Sequence, residues 1–131
     1  MIRALKKTEH LPEEHFVYVL LLANGHYYCG YTNDVVRRMR KHLAGKGSKC
    51  VRSFKPVMIK RVWRICGLKG DALTAESFVK RLTRTEKEVI LGRPSVFGKQ
   101  IRSRIDFAAR IREIRKFADF PIVNILEGSD G

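Results

Sequence analysis

Two β-rich runs joined by an Asn-Gly pair constrain the fold of this chain more than any other feature of its 131 residues. Residues 16–22 read FVYVLLL, a β-branched and aromatic run typical of a buried strand, and residues 26–31 read HYYCGY. Asn24-Gly25 lies between the two runs and is a strong signal for a tight turn. The sequence therefore predicts an N-terminal β-hairpin, preceded by a loose polar arm over residues 1–15.

One helix and a third strand are predicted after the hairpin. Asp34 is a candidate N-cap, and apolar residues then recur every four positions until Gly45, which predicts a helix over residues 34–44. Residues 45–49 (GKGSK) predict a flexible basic loop. Residues 57–66 are rich in Val and Ile and predict a third strand, in which Trp63 is expected to be a core residue.

The second half of the chain predicts helices. One ends near Thr83, and a shorter one lies between residues 85 and 92. We expect an α/β fold in the order β-β-α-β-α-α: a small three-stranded antiparallel sheet flanked by helices, with an amphipathic helix in the C-terminal tail. The expected boundaries are the arm at 1–15, one domain at 16–92 and a helical extension at 93–131. The tail helix is predicted from the spacing of Ile101, Ile105, Ala108, Ile111 and Ile114.

Positive charge is concentrated in one segment. The chain has 27 Lys and Arg against 13 Asp and Glu, which gives a net charge of +14. Between residues 33 and 64 of the sequence, Asp34 is the single acidic residue. This concentration favours a polyanionic partner, most often nucleic acid. A solvated basic face and a patch for anionic membranes are the alternatives. The basic residues of the segment are Arg37, Arg38, Arg40, Lys41, Lys46, Lys49, Arg52, Lys55, Lys60, Arg61 and Arg64.

The sequence argues against membrane insertion and export. The longest apolar run, residues 16–23, is far shorter than the roughly 20 residues of a membrane-spanning helix, and the N-terminus lacks the apolar region of a secretory signal. Cys29, Cys50 and Cys66 form no CxxC pair, which indicates reduced thiols rather than a disulfide framework or a zinc ribbon. We therefore expect a soluble cytoplasmic protein with no membrane partner, and access to a nucleoid or a nucleus stays open.

A set of chemically active side chains follows the order of the predicted elements. Tyr18 in F-V-Y, Tyr28 in Y-C-G and Arg38 lie ten residues apart, and His42 follows Arg38 by one helical turn. The GKGSK loop comes next, and Glu76 stands in the later segment AESFVKRLTRTEK. In these motifs, over about residues 15–91, the chain resembles the GIY-YIG nuclease superfamily and especially its small stand-alone members.

The resemblance implies a nuclease that hydrolyses DNA phosphodiester bonds, with structure-selective cleavage and DNA repair as further expectations. It implies that Tyr18 is a general base whose pKa is pulled below its usual value of about 10 by nearby cations, among them Arg38, Lys49 and a metal ion. Arg38 would stabilise the charge on the phosphate in the transition state. Tyr28 would position the water or the phosphate, and His42 would orient a tyrosine or relay a proton.

The resemblance also implies a metal ion and a nucleic-acid surface. Glu76 would bind one Mg²⁺ or Mn²⁺ through a single carboxylate, with water and phosphate as the other ligands. The amides of the 45–49 loop would grip a backbone phosphate, and Phe54 either stacks on a base or is buried. The basic residues expected to contact DNA, with RNA as the alternative, are Arg37, Lys41, Lys46, Lys49, Arg52 and Lys55.

Structural roles remain open for each of these residues. Arg38 also suits a solvated surface, His42 a helix C-terminal dipole and Tyr18 the edge of a core. Glu76 also suits an ordinary i,i+4 ion pair with Lys80. At the level of function, the alternative is a non-catalytic nucleic-acid-binding module on the same scaffold. A third hypothesis is an RNA- or ribosome-associated protein, which the isoelectric point near 10.2 suits equally well.

A site that uses both tyrosines makes a demand on the hairpin register. Side chains alternate across a strand, so a two-residue Asn24-Gly25 turn would send Tyr18 and Tyr28 to opposite faces. A three-residue loop over residues 23–25, with Gly25 in the left-handed conformation, would bring both phenols to one face. The two-tyrosine site therefore predicts the three-residue loop, or a bulge elsewhere in either strand with the same effect.

Overall fold

The computed structural model describes residues 13–128, and the side chains of residues 14–127. Most of the predicted arm, residues 1–12, lies outside this range, whereas residues 13–15 belong to the first strand instead of a loose arm. Short 3-10 turns precede β4, β5 and α6. The elements are β1 (Glu13–Leu22), β2 (Tyr27–Thr32), α1 (Val35–Leu43), α2 (Lys49–Ser53), β3 (Pro56–Gly67), α3 (Lys69–Arg81), α4 (Arg84–Gly92), α5 (Ser95–Ile101), β4 (Arg110–Glu113), β5 (Phe120–Pro121) and α6 (Ile125–Gly128).

The strands form one antiparallel sheet in the order β2-β1-β3-β4, and β5 also pairs with β3. β1 lies between β2 and β3, and both of its faces are covered, which explains why its sequence is apolar at consecutive positions rather than at alternate ones. Helices cover both faces of the sheet. The predicted α/β class, with an antiparallel sheet flanked by helices, is confirmed, and β4 and β5 extend the three predicted strands.

Separate cores lie on the two faces of the sheet. Val17 and Val19 point to the face covered by α3, α4 and α5, whereas Tyr18 and Leu20 point to the face covered by α1 and the C-terminal turns. Trp63 belongs to the first core and is 1% exposed, as predicted. Because α1 and α3 pack on opposite faces, side chains on these two helices can meet only around the edge strand, β2.

The predicted amphipathic tail helix is wrong. α5 ends at Ile101, a 3-10 turn follows at Arg102–Arg104, and Arg110–Glu113 form β4, which pairs with residues 63–66 of β3. The alternation of Arg and Ile in β4 suits a strand with one exposed face. Pairing with the otherwise free edge of β3 therefore outweighs the helical spacing of the isoleucines.

The predicted flexible loop is partly ordered. Gly45 has a φ of 75° and ends α1, as a left-handed glycine after a helix commonly does. Ser48 then caps α2, because its hydroxyl accepts a hydrogen bond from the amide of Val51 (3.5 Å). Helix α2 was not predicted from the sequence.

Within residues 13–128, every helix is too short or too polar to cross a lipid bilayer.

Candidate active site at the edge of the sheet

The hairpin places Tyr18 and Tyr28 on the same face of the sheet. Tyr18 pairs with Gly30 and Leu20 pairs with Tyr28, so the two tyrosines are diagonal neighbours with ring centroids 6.4 Å apart. Their register follows from the loop: the amide of Leu22 donates to the carbonyl of His26 (2.9 Å), and Gly25 is left-handed with a φ of 86°. The predicted three-residue loop is confirmed.

Helix α1 brings Arg38 and His42 to this pair of phenols. The helix begins where the Asp34 carboxylate accepts a hydrogen bond from the amide of Arg37 (3.1 Å), and its periodicity turns Met39 into the core. Arg38 and His42, four residues apart, share the side that faces the hairpin. Helix α1 was predicted as residues 34–44, and its observed bounds with the Asp34 cap agree closely.

The hydroxyl of Tyr18 joins the two helical side chains. It lies 2.8 Å from Nε2 of His42 and accepts a hydrogen bond from Nε of Arg38 (3.3 Å). Because an arginine can only donate, the single proton of the neutral phenol is left to be donated to Nε2 of His42. Both Tyr18 and His42 are buried, with 0% and 2% of their surface exposed, while Arg38 is partly exposed.

Two glycines make room for this cluster, a role that the sequence alone did not predict for either of them. A β-carbon on Gly30 would overlap the hydroxyl oxygen of Tyr18, and one on Gly47 would overlap Nδ1 of His42. Nδ1 has no hydrogen-bond partner among the described residues. Gly30 was visible in the Y-C-G motif and Gly47 in the GKGSK loop, but their contacts depend on the folded chain.

The pKa of Tyr18 is shifted in the direction opposite to the one expected from the sequence. Burial raises the pKa of Tyr18 above its usual value, although the hydrogen bond and the charge of Arg38 act in the opposite direction. The prediction that cations hold this pKa low is therefore wrong for the chain without bound nucleic acid or metal ion, because loss of hydration outweighs one guanidinium. For His42, burial and then the charge of Arg38 lower the pKa to about 4, so its imidazole is neutral at pH 7.

Glu76 lies on the other face of β2 from this cluster. It projects from α3, its carboxylate forms an ion pair with Lys80 (3.2 Å), and its backbone carbonyl contacts the Cys29 thiol (3.8 Å). The i,i+4 pair considered as the structural alternative is thus present. Burial, followed by the charge of Glu76, raises the pKa of Cys29 to about 12, so that this thiol is protonated and inert at pH 7.

Tyr28 lies within electrostatic range of both helices that flank β2. The pKa of Arg38 is raised mainly by its hydrogen bond to Tyr18, with a smaller contribution from Tyr28. The pKa of Lys80 is also raised: burial lowers it, but the hydrogen bond and charge of Glu76 outweigh burial, and Tyr28 adds to them. The partly exposed phenol of Tyr28 therefore lies close enough to interact electrostatically both with Arg38 of α1 and with Lys80 of α3.

A metal ion at this edge of the sheet could be bound by one protein carboxylate, that of Glu76. Within residues 13–128 no group of three or more His, Cys, Asp or Glu side chains is arranged to hold an ion. Glu76 is 17% exposed, and its carboxylate pairs with Lys80, a side chain that is half exposed and able to move away. A single accessible carboxylate fits Mg²⁺ or Mn²⁺, hard cations that keep several waters and take further ligands from a phosphate.

The expected DNA-binding residues are all exposed, but they fall into two groups. Arg37 and Lys41 line a groove with Arg38 and with Lys69 of α3, a residue that was not predicted from the sequence to belong to the site. Lys69 is held there over the ring of Tyr31, 5.8 Å from its centroid. Lys46 lies in a neighbouring depression with Arg37 and Lys41. The second group, on and just after α2, consists of Lys49, Arg52 and Lys55.

Cys29 is buried, Cys66 is partly buried and Cys50 is exposed, and none of the three is paired with another. Phe54 is 45% exposed, so about half of its side chain is accessible for stacking on a base.

Comparison with known proteins gives one family. Residues 14–88, more than half of the chain, match the model of the GIY-YIG catalytic domain. The UPF0213 protein BH0048 of Halalkalibacterium halodurans is 40% identical over 77 residues, which span 59% of this chain and 81% of that protein. The UPF0213 protein VNG_2274C of Halobacterium salinarum is 40% identical over 76 residues, which span 58% of this chain and 97% of that protein.

One solved structure is also similar. The solution NMR structure of the UPF0213 protein BH0048 from Bacillus halodurans is 39% identical in sequence and covers 60% of this chain and 83% of its own, with a TM-score of 0.37. The family match covers Tyr18, Tyr28, Arg38, His42 and Glu76 and ends before α5.

Proposed function

Since the chain belongs to the GIY-YIG family, and so carries a nuclease-type domain, we propose that it is a divalent-metal-dependent endonuclease that hydrolyses DNA phosphodiester bonds. The observation that carries the proposal is the Tyr18 hydroxyl, which contacts a fixed cation, Arg38, and a neutral base, His42, within hydrogen-bond distance of each. A phenol placed between a base and a cation can give up its proton at a lower cost than burial alone allows.

The groove supplies binding and charge. Arg37, Lys41 and Lys69 neutralise phosphates on either side of the reacting one, and Arg38 holds the reacting phosphate by its guanidinium. Arg38 contacts Tyr18 through Nε, and its guanidinium also interacts with the partly exposed Tyr28 phenol, so its terminal nitrogens can turn to phosphate oxygens at the open side of the site. This arrangement lowers the barrier by stabilising the negative charge that develops on the phosphate in the transition state.

The proton path runs through two side chains. Tyr18 passes its proton to Nε2 of His42, and the phenolate oxygen, stabilised by Arg38, takes a proton from water. The hydroxide attacks phosphorus, the P–O bond to the leaving oxygen breaks, and that oxygen is protonated by solvent, while His42 returns to solvent the proton that it took from Tyr18. Tyr28, the partly exposed phenol, orients the water. His42 is neutral at pH 7 because burial and Arg38 lower its pKa to about 4, so Nε2 can accept the proton. The same lowering makes His42 a weak base, so the transfer depends on the positive charge that Arg38 and a bound metal ion place beside the phenolate.

Glu76 would hold the metal ion through one carboxylate oxygen once Lys80 moves aside. A bound Mg²⁺ or Mn²⁺ supplies positive charge to the phosphate and to the leaving oxygen.

A nicking assay tests the proposal. Supercoiled plasmid and branched DNA are incubated with Mg²⁺, Mn²⁺ or EDTA, and wild type is compared with Glu76→Gln and Arg38→Ala. We expect cleavage that needs the metal ion and is lost in both variants. Glu88→Gln is the matched control, because the Glu88 carboxylate also lies on a helix and forms an i,i+4 ion pair, with Arg84. The Glu88→Gln variant should cleave normally.

A specific observation favours a second function, that of a non-catalytic nucleic-acid-binding module. The Tyr18 hydroxyl is buried and saturated by two partners, and the Glu76 carboxylate is paired, as in a scaffold without chemistry. Binding of DNA without metal-dependent nicking by the folded wild type would select this function. Preferential binding of RNA over DNA of the same length would instead indicate an RNA- or ribosome-associated protein.

A further inference from the structure

A cavity of about 400 Å³ lies on the face of the sheet that α1 covers. Its floor contains Phe16 of β1 and Arg64 of β3, which are paired across the two strands. The start of α1 forms one wall, and the turn after β4 forms the other with Ile114 and Phe117. The volume is within the range of about 300–1,000 Å³ that is usual for sites that bind small organic groups.

Hydrogen bonds to the backbone hold both walls of the cavity. At the start of α1, the amide of Asp34 donates to the Thr32 hydroxyl (3.0 Å), and the Asp34 carboxylate accepts from the amide of Arg37 (3.1 Å). On the opposite wall, the amide of Ile114 donates to the carbonyl of Val62 in β3 (2.8 Å). Walls that are fixed before a ligand arrives lose little conformational freedom on binding, which lowers the free-energy cost of the contact.

The lining of the cavity is largely apolar, and its charges balance. Glu14 and Arg64 form an ion pair (3.1 Å), and Asp34 and Lys116 contribute one further charge of each sign. A lining without net charge favours a neutral group over an ion. The ring of Phe16 favours a flat aromatic group, which can stack on it. The apolar residues of the lining are Phe16, Val35, Val36, Ile114 and Phe117.

The cavity adjoins the groove beside Arg38. Asn33 and Asp34 line both spaces, so a ridge of two residues separates them. In the groove, four cations face the one carboxylate of Asp34, and this net positive charge suits a phosphate. A nucleotide joins an anionic phosphate to a neutral, flat base, so the two adjoining spaces match the two parts of one nucleotide. The four cations are Arg37, Arg38, Lys41 and Lys69.

The wall after β4 lies outside the match to the GIY-YIG catalytic domain, which ends at residue 88. Ile114 and Phe117 therefore bring a part of the C-terminal extension to the edge of the proposed active site. This position gives the extension a role in binding, in addition to its packing against the sheet.

We propose that this cavity binds one nucleobase of the strand whose phosphate lies in the groove beside Arg38. The base packs against Phe16, between the start of α1 and the turn that carries Ile114. The proposal rests on the proposed function for the nucleic acid in the groove, whereas it does not depend on cleavage.

Binding in EDTA tests the proposal without cleavage. Fluorescence anisotropy is measured with a single DNA strand of about eight nucleotides, and with a strand of equal length in which tetrahydrofuran replaces every nucleoside. The two strands have the same number of phosphates, so the ratio of their affinities reports on the bases. Single strands are used because their bases can enter the cavity without leaving a duplex stack.

Four variants are compared with wild type. Phe16→Leu removes the ring but keeps an apolar side chain, and Phe16→Tyr keeps the ring. Ile114→Phe adds volume to the opposite wall and fills part of the cavity. Phe78→Leu is the matched control, because Phe78 is also a partly buried phenylalanine but packs on the opposite face of the sheet. Thermal unfolding checks that every variant is folded, and Ile114→Phe tests the cavity if Phe16→Leu does not fold.

We expect wild type to bind the strand with bases more tightly than the abasic strand. Phe16→Leu and Ile114→Phe should bind the strand with bases about fivefold more weakly or worse, as for the loss of one stacked base, and should bind the abasic strand within twofold of wild type. Phe16→Tyr and Phe78→Leu should keep the wild-type ratio. An unchanged ratio in both Phe16→Leu and Ile114→Phe would overturn the proposal and leave the cavity to a side chain of a protein partner.

The two proposals fail separately. If the base site is wrong, the ratio of affinities does not depend on Phe16 or Ile114, while wild type still nicks plasmid with a metal ion. If the nuclease function is wrong, wild type nicks no DNA, but the ratio still depends on both residues.

Discussion

Gly30 lies directly opposite Tyr18 in the β1–β2 ladder, and the Tyr18 hydroxyl occupies the space that a β-carbon on Gly30 would need. This pairing explains on steric grounds why the Y-C-G motif ends in glycine. It also predicts that Gly30→Ala displaces the phenol from Arg38 and His42. Overpacking of this kind costs about 1–3 kcal/mol. We expect a lower urea midpoint and loss of nicking.

Gly70→Ala is the matched control for that experiment. Gly70 lies in the first turn of α3 with open space where a β-carbon would be, so alanine there should leave stability unchanged or slightly raised and should leave nicking normal. Normal stability and nicking in Gly30→Ala would show that the phenol can occupy another position.

Arg38 and Arg37 are neighbours on α1 for which we predict different kinetic effects. Arg38 contacts Tyr18, whereas Arg37 lines the groove without touching either tyrosine. Arg38→Ala should lower the rate of single-turnover cleavage at least 100-fold with a small loss of DNA affinity, since its interaction strengthens in the transition state. Arg37→Ala should weaken affinity and leave that rate near wild type. Equal losses of affinity in the two variants, with equal rates, would make Arg38 an ordinary phosphate contact.

Metal binding should compete with the Lys80–Glu76 ion pair. A bound ion stabilises the folded chain by mass action, so Mg²⁺ or Mn²⁺ should raise the melting temperature of wild type and not that of Glu76→Gln. Lys80→Met removes the competing cation and should shift the metal titration to lower concentration. A metal-dependent shift that persists in Glu76→Gln would place the ion elsewhere.

His42 should make stability fall as the pH decreases from about 6.5 to about 4. The folded chain keeps His42 neutral down to about pH 4, because burial and Arg38 lower its pKa, whereas the unfolded chain takes up the proton near pH 6.5. The unfolded state therefore binds more protons in this window, and the free energy of unfolding decreases with pH. Urea denaturation at several pH values should show a steeper decrease for wild type than for His42→Gln. Parallel curves of stability against pH for the two proteins would mean that His42 takes up a proton equally readily in the folded and in the unfolded chain.

The hairpin and α1 could be predicted from the sequence because their signals are local. Asn24-Gly25 and Asp34 act within a few residues, and the requirement that Tyr18 and Tyr28 share a face selected the three-residue loop that the structure contains. The tail could not be predicted in this way. Its isoleucine spacing fits a helix, but the free edge of β3, which pairs with β4, is formed by residues more than forty positions earlier.

The chemistry of the site was harder to predict than its residues. Sequence order brings Tyr18, Arg38 and His42 together, and the structure places them in contact. The direction of the Tyr18 pKa depends on how completely the phenol is buried, which a motif does not encode. Lys69 was missed because it belongs to no motif, and its place in the groove follows from the packing of α3.

Salt dependence should separate the two groups of basic residues. Each phosphate neutralised on duplex DNA adds about 0.9 to the slope of log affinity against log salt concentration. Lys69 shares a groove with Arg38, so Lys69→Ala should reduce this slope by about one and weaken both binding and cleavage. Arg52 lies on α2, away from that groove, so Arg52→Ala should reduce the slope only if the DNA also covers α2. A measured slope near zero for wild type would contradict a phosphate-binding surface altogether. A reduced slope for Arg52→Ala but not for Lys69→Ala would move the DNA path from the groove to the α2 surface.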